Sequence, residues 1–225
     1  MNEQLPITVL VVDDHKVVRR GFARLLETEP GYTVVGEAGD GKSAVRMVRE
    51  LRPDVVLMDI RMPELDGIEA TRQITRAGDT RVVVLTTFDL DEYVYDALIA
   101  GASGFLLKEC SPDELIQSVT AAAHGSALLS ARLTSRLVEN FVRRPANSTL
   151  ADTRLANLSP REQEVFRLVA RGLSNAEIAG HLVLGETTVK SHITSMLTKL
   201  GLRDRVQAVV LAYETGAVKP GEFTD

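Results

Sequence analysis

The run VVLMDIRMPELDG (residues 55–67) decides the fold. Its first part, Val55–Met58, is short, apolar and rich in β-branched residues, as a buried strand is. Asp59 follows at once, and an amphipathic stretch of helical length begins at about residue 66. The same alternation recurs on either side. Strand-like runs lie at Ile7–Val12, Thr33–Gly36, Val82–Leu85 and Gly104–Leu107, with helical stretches at about 15–28, 41–51, 90–100 and 111–124. Five such repeats predict an α/β unit, a (βα)5 arrangement whose five-stranded parallel sheet is covered on both faces. The last helix opens on Ser111-Pro112-Asp113-Glu114, a capping box with proline at the first helical position.

Beyond this unit the pattern changes. Leu128, Leu129, Leu133, Leu137 and Phe141 recur at helical spacing over 126–143, and the polar stretch Arg143–Thr149 reads as a linker. From Leu158 onward the pattern is all-α. Ser159-Pro160-Arg161-Glu162 and Ser174-Asn175-Ala176-Glu177 are two further capping boxes, and helices over about 186–200 and 204–215 end near Gly201 and Gly216. The expected organisation is a first domain over 1–125, a partly helical linker over 126–157, and a four-helix domain over 158–220.

The 225 residues are 44% hydrophobic and 25% charged, ordinary for a globular protein and too apolar for a mainly disordered one. No apolar run approaches the roughly 20 residues that span a bilayer, and Met1–Gln4 lacks the basic region of a signal peptide. The single cysteine, Cys110, excludes an internal disulfide framework. A cytoplasmic protein without a membrane partner is expected. Residues 1–125 hold 13 Lys/Arg against 21 Asp/Glu, net −8, a poor surface for nucleic acid. Residues 151–225 hold nine of each, so DNA binding there requires a local patch.

Asp13 and Asp14 follow the first strand, Asp59 the third; Thr86 ends the fourth strand and Lys108 the fifth. In an open parallel sheet, ligands bind at the carboxyl ends of strands near a topological switch point. Taken singly, each residue has a plain structural reading as cap, turn or solvated charge. Taken together they describe one phosphoryl site. Three carboxylates repel unless a hard divalent cation joins them, and Mg²⁺ prefers a few carboxylates plus water and phosphate. A hydroxyl and an ammonium at the same edge suit phosphoryl oxygens.

The segments VLVVDDH (9–15), VVLMDIRMPELDG (55–67), VVVLTT (82–87) and GASGFLLKECSPDEL (101–115) resemble the receiver domain of two-component response regulators across the whole first domain. The resemblance implies a flavodoxin-like fold with Asp59 as the acceptor of a phosphoryl group from a sensor histidine kinase. It implies Mg²⁺ on Asp14, Asp59 and the backbone carbonyl of Arg61, with Asp13 acting nearby or through water. Thr86 and Lys108 would hold the phosphoryl oxygens, Phe105 would be the aromatic switch residue, and Pro63 and Gly67 would shape the loop after Asp59. Arg61 and Phe88 would flank the path of the hydrolytic water, and a bulky pair there implies slow autodephosphorylation.

In the second domain, the short connection between Ser174–Leu182 and Glu186–Leu200 reads as a helix-turn-helix. Val189, Ile193, Met196, Leu197 and Leu200 should face the core, leaving Lys190, Ser191, Thr194 and Ser195 outward. Short hydroxyls around one lysine can enter a major groove. LSPREQEVFRLVARGLSNAEIAGHLVLGETTVKSHITSMLTKLGLRDRVQAV (158–209) resembles the LuxR-type helix-turn-helix. That resemblance puts Lys190, Ser191 and Thr194 near base edges or phosphates of double-stranded promoter DNA, and Thr187, Thr188 and His192 near the backbone. Gly185 stands where relatives commonly carry a serine cap. Val206, Val209, Val210 and Tyr213 mark either a dimer contact or packing within the domain.

Together the halves resemble a NarL/FixJ-type response regulator: a homodimer when phosphorylated, acting on transcription and not an enzyme in the ordinary sense. A haloacid-dehalogenase-type hydrolase would need a second aspartate where Arg61 stands. A LuxR-type quorum sensor would need a ligand-binding domain in place of the acidic one.

Overall fold

A computed structural model describes residues 5–87, 91–126 and 155–218. The chain divides into two units, residues 1–127 and 128–225.

The first unit holds strands β1 (Ile7–Val12), β2 (Tyr32–Ala38), β3 (Val55–Asp59), β4 (Arg81–Thr86) and β5 (Gly104–Leu107), all parallel and in the order β2-β1-β3-β4-β5. Between them run α1 (Lys16–Thr28), α2 (Gly41–Leu51), α3 (Gly67–Ala77), α4 (Asp91–Ile99) and α5 (Pro112–Ala123). Side chains alternate across the sheet. Val9, Val11, Val55, Leu57, Val83 and Leu85 pack against Phe22, Ala23 and Leu26 of α1 and Leu115, Val119 and Ala122 of α5. Leu10, Val12, Val56, Met58, Val82 and Val84 point to the opposite face and are equally buried. Both faces are covered, so the strands read as unbroken apolar runs. Each fully buried Leu or Val contributes about 2 kcal/mol.

One strand end differs from the sequence expectation in a useful way. β3 extends one residue past its apolar run, so Asp59 is the last ladder residue, opposite Leu85. β4 ends on Thr86 as expected, opposite Leu107. Both side chains therefore sit on the rigid sheet. The chain passes from β1 to β2 on one side and then to β3 on the other, so the switch point lies between β1 and β3, where Asp13 and Asp59 emerge.

The second unit holds α6 (Pro160–Ala170), α7 (Asn175–Leu182), α8 (Glu186–Leu200) and α9 (Arg205–Glu214). Both expected capping boxes form, on Ser159 with Glu162 and on Ser174 with Glu177. Its buried residues include Val165, Phe166, Val169, Ile178, Val189, Ile193, Met196 and Leu200. α8 stops at Gly201, whose φ of 66° is the left-handed C-cap that glycine adopts without strain. α9 packs on α6 and buries Val206, Val209, Val210 and Tyr213, so that face is packed rather than an exposed dimer contact.

The expected helix over 126–143, the linker after it, Phe88 and residues 219–220 lie outside the described residues, apart from Ser126 and residues 155–157. Among the described residues, no helix is long and apolar enough to cross a membrane.

Candidate functional site

The carboxyl edge of the sheet brings together Asp13, Asp59 and Lys108. Asp13, the first residue after β1, is fully buried. Its Oδ1 accepts the backbone N–H of His15 at 2.8 Å. Asp59 is 5% exposed. The Lys108 ammonium lies 2.8 Å from Asp13 Oδ2 and 2.9 Å from Asp59 Oδ2. The Lys108 backbone N–H is fixed to the Thr86 carbonyl at 2.8 Å, so the lysine starts from the β4–β5 ladder. Burial pushes the Asp59 carboxyl up, and the charge of Asp13 adds to this against the opposing hydrogen bond and charge of Lys108. Burial alone would lower Lys108, but its hydrogen bonds and attraction to Asp13 and Asp59 prevail and raise it. The lysine is thus held as a cation between two acids.

Asp14 stands at the mouth of the site, exposed, with Oδ1 2.6 Å from Nδ1 of His15. Asp13, Asp14, His15 and Asp59 each offer a ligand atom, and these atoms lie within 4.8 Å of one another. Asp13 Oδ2 is buried, with the Lys108 ammonium 2.8 Å away as its partner. Three carboxylates with one lysine leave an excess of negative charge that a divalent cation offsets. The donor set therefore fits Mg²⁺. His15 is the residue of this cluster that the sequence reading did not single out; its position directly after Asp13-Asp14 was the available signal.

The loop after Asp59 is folded back on the strand. The Gly67 N–H donates to the Ile60 carbonyl at 2.8 Å, and a Cβ on Gly67 would lie 1.9 Å from the Asp59 carbonyl oxygen. Only glycine permits that approach, which starts α3 directly beneath the acid edge. Asp66 caps α3 by accepting the Glu69 N–H. The Arg61 side chain projects outward, its guanidinium carbon 5.8 Å from the centroid of the Tyr93 ring on α4.

Thr86 is buried, but its hydroxyl donates to the Thr87 carbonyl at 3.1 Å and not to the acids. Phe105, on β5 beside Val84, is half-buried.

In the second unit, α7 and α8 are joined by residues 183–185. Thr187, Thr188, Lys190, Ser191 and Thr194 are exposed on α8, and His192 is half-buried. The Ser191 hydroxyl donates to the Thr187 carbonyl and the Thr194 hydroxyl to the Lys190 carbonyl, both at 3.0 Å. Both hydroxyls keep lone pairs that can still accept a hydrogen bond. Gly185 gives α8 no side-chain cap.

Ser195 corrects the expectation of an outward position. Its hydroxyl donates to Glu162 Oε1 at 2.6 Å, and Lys199 Nζ reaches the same carboxylate at 2.6 and 2.8 Å. The Lys199 and Ser195 hydrogen bonds and the Ser159 N–H hold the Glu162 carboxyl down at about 2. The N-terminus of α6 is thereby clamped to the last turns of α8. Two further ties were not legible in the sequence. Arg161 donates to the Leu182 carbonyl at 2.6 Å, bracing the turn before α8. Buried Arg205 donates to the Leu173 carbonyl and, at 3.0 Å, to Asn175 Oδ1. The capping box announced Glu162, but nothing local announces partners more than 30 residues away.

Residues 9–120 match the response regulator receiver domain, and residues 156–212 match the bacterial regulatory proteins of the luxR family. The transcriptional regulatory protein YxjL of Bacillus subtilis is 41% identical over 215 residues, covering 95% of this chain and 98% of that protein. The nitrate/nitrite response regulator NarL of Escherichia coli strain K12 is 36% identical over 215 residues, with shares of 95% and 98%. The crystal structure of the response regulator ChrA of a heme-sensing two-component system aligns with a TM-score of 0.53 at 34% identity, covering 96% of this chain and 100% of that one.

Proposed function

The chain belongs to the transcriptional response regulators that join a receiver domain to a LuxR-type DNA-binding domain, and we propose that its switch is phosphorylation of Asp59 by a sensor histidine kinase. The observation that carries this reading is the placement of a buried Asp59 carboxylate 2.9 Å from the Lys108 ammonium, at the switch point of the sheet.

In this reading residues 1–125 are the receiver, 126–157 the linker and 158–220 the DNA-binding domain. An Asp59 oxygen attacks phosphorus, forming a P–O bond as the P–N bond of the kinase phosphohistidine breaks. Asp14, Asp59 and the Arg61 carbonyl would hold Mg²⁺, with Asp13 nearby or through water. When bound, the cation would supply neutralisation of the charge on the transferring group. Lys108 keeps one contact with Asp13 and turns its remaining donors to the new phosphoryl oxygens. Thr86 gives up the Thr87 carbonyl and donates to the phosphoryl group. Its movement opens room into which the half-buried Phe105 rotates, so a local charge change alters the receiver surface.

Phosphorylated receivers then pair. A homodimer presents two copies of α8 to a repeated half-site on promoter DNA, where it acts on the transcription machinery. Joining two weak contacts on one duplex raises effective concentration. Thr187, Thr188 and His192 lie along the DNA backbone, while Lys190, Ser191 and Thr194 reach base edges or phosphates. The cytoplasm is the compartment where kinase and DNA are both met.

Intact-mass measurement of wild type and Asp59→Ala with a small-molecule phosphodonor and Mg²⁺ tests the acceptor. One added phosphoryl group in wild type alone is expected; equal uptake by the variant contradicts it. The bulky pair Arg61 and Phe88, two residues beyond Asp59 and Thr86 in sequence, implies slow autodephosphorylation, so the phosphoryl group is expected to outlast the seconds timescale when its loss is followed by the same method.

A further inference from the structure

His15 has no part in the relay above, yet it stands at the mouth of the acid edge. It occupies the N-cap position of α1, where its side chain makes no capping hydrogen bond. Serine, threonine, aspartate and asparagine are the residues that serve there. Its backbone is pinned by the 2.8 Å bond to Asp13 Oδ1, while its imidazole is 73% exposed and held only by Asp14. The ring is therefore placed by its neighbours and can shift without loss of packing.

We infer that the His15 imidazole is a direct ligand for borderline divalent cations such as Co²⁺ and Ni²⁺, joining Asp13, Asp14 and Asp59 in one mixed nitrogen–oxygen site. This rests on the reading of the acid edge as a cation site. Nδ1 of His15 is 2.6 Å from Asp14 Oδ1 and 3.8 Å from Asp13 Oδ1, and the four residues' ligand atoms lie within 4.8 Å of one another. With metal–ligand bonds of about 2.1 Å in an octahedron, neighbouring ligand atoms are about 3 Å apart and opposite ones about 4.2 Å. The cluster needs only small side-chain shifts to meet this. The buried Asp13 and Asp59 carboxylates share the single ammonium of Lys108, which leaves negative charge at the same place for a cation to offset.

The ligand chemistry separates cations by class. Imidazole suits nickel and the later transition metals, whereas carboxylate, carbonyl and water suit magnesium. With Mg²⁺, His15 stays on Asp14, orients it, and leaves its coordination position to water. With Ni²⁺ or Co²⁺ the imidazole displaces that water. Removal of His15 should therefore weaken the second class and spare the first.

Isothermal titration of the full chain with Mg²⁺ and with Ni²⁺ tests this, comparing wild type, His15→Ala and Asp59→Ala. The expected result is a loss of about tenfold or more in Ni²⁺ affinity on His15→Ala, with Mg²⁺ affinity changed by less than about twofold. His124, His181 and His192 are common to the variants and cancel. If Mg²⁺ and Ni²⁺ both bind at the acid edge and His15→Ala changes neither, or weakens both equally, ligation by His15 is overturned while the cation site stands. If neither cation binds wild type more tightly than Asp59→Ala, the cation site itself is overturned.

Discussion

Lys108 faces two carboxylates with one charge, and that imbalance sets the character of the receiver site. Burial and the neighbouring Asp13 raise the Asp59 carboxyl, so ionising it costs more in the folded chain than in the unfolded one. A group raised in this way adds stability below its unfolded value and loses it as pH climbs through the folded one. At neutral pH an ionised Asp59 therefore opposes folding. Asp59→Asn keeps the shape and removes the charge, and calorimetry of the full chain at pH 7 should show the receiver transition moved up by a few degrees. A lower Tm would contradict the electrostatic reading. Such a gain accompanied by lost phosphoryl uptake is the usual relation between a functional site and stability. At this scale the sequence was legible wherever a residue closed an apolar run. Asp13, Asp59, Thr86 and Lys108 were all visible because a strand end has one direction. Ser195 was misplaced because a short polar side chain at a half-buried helix position reads as outward. Only its distant partner Glu162 turns it in.

Helix α8 shows what an element adds. Its apolar stripe of Val189, Ile193, Met196 and Leu200 was legible as periodicity, as were the capping boxes that start α6 and α7. The clamp that orients α8 was not legible, because it joins Glu162 to Lys199 and Ser195 across the fold. Glu162 sits at about 2 against an ordinary 4.5. A lowered carboxyl contributes stability that is present above its unfolded value and is lost as pH falls toward the folded one. The helical unit should therefore lose stability as pH drops from about 4.5 toward about 2. Calorimetric scans of the full chain across that window should show Glu162→Gln with a flatter dependence than wild type; parallel curves would contradict the clamp. On the opposite face, Lys190→Ala should weaken DNA binding by about 1–3 kcal/mol if the lysine meets a base edge. The salt dependence of affinity separates the roles, since loss of a phosphate contact lowers the slope by about 1 and loss of a base contact does not. Unchanged affinity would remove Lys190 from the interface.

At the scale of the molecule, two units of unlike chemistry share one chain, an acidic α/β receiver and a charge-balanced helical domain. Their fold classes were legible because strand-like runs alternate with helical stretches through the first half, whereas the second half is helical throughout. The α9 face was ambiguous because an apolar stripe does not say whether its partner is its own domain or a second copy. Packing on α6 answers that for Val206, Val209, Val210 and Tyr213. The central claim is that the charge state of Asp59 governs how the whole chain engages DNA. Phosphorylation can do this only by favouring one of two states. The most direct test is selection from a random-sequence duplex library by the full chain, with and without phosphodonor and Mg²⁺, using wild type and Asp59→Ala. Phosphodonor-treated wild type should enrich a motif of two repeated half-sites, strongly depleted for untreated wild type and for the variant under both conditions. The same motif, enriched equally by Asp59→Ala with the donor present, would contradict the account.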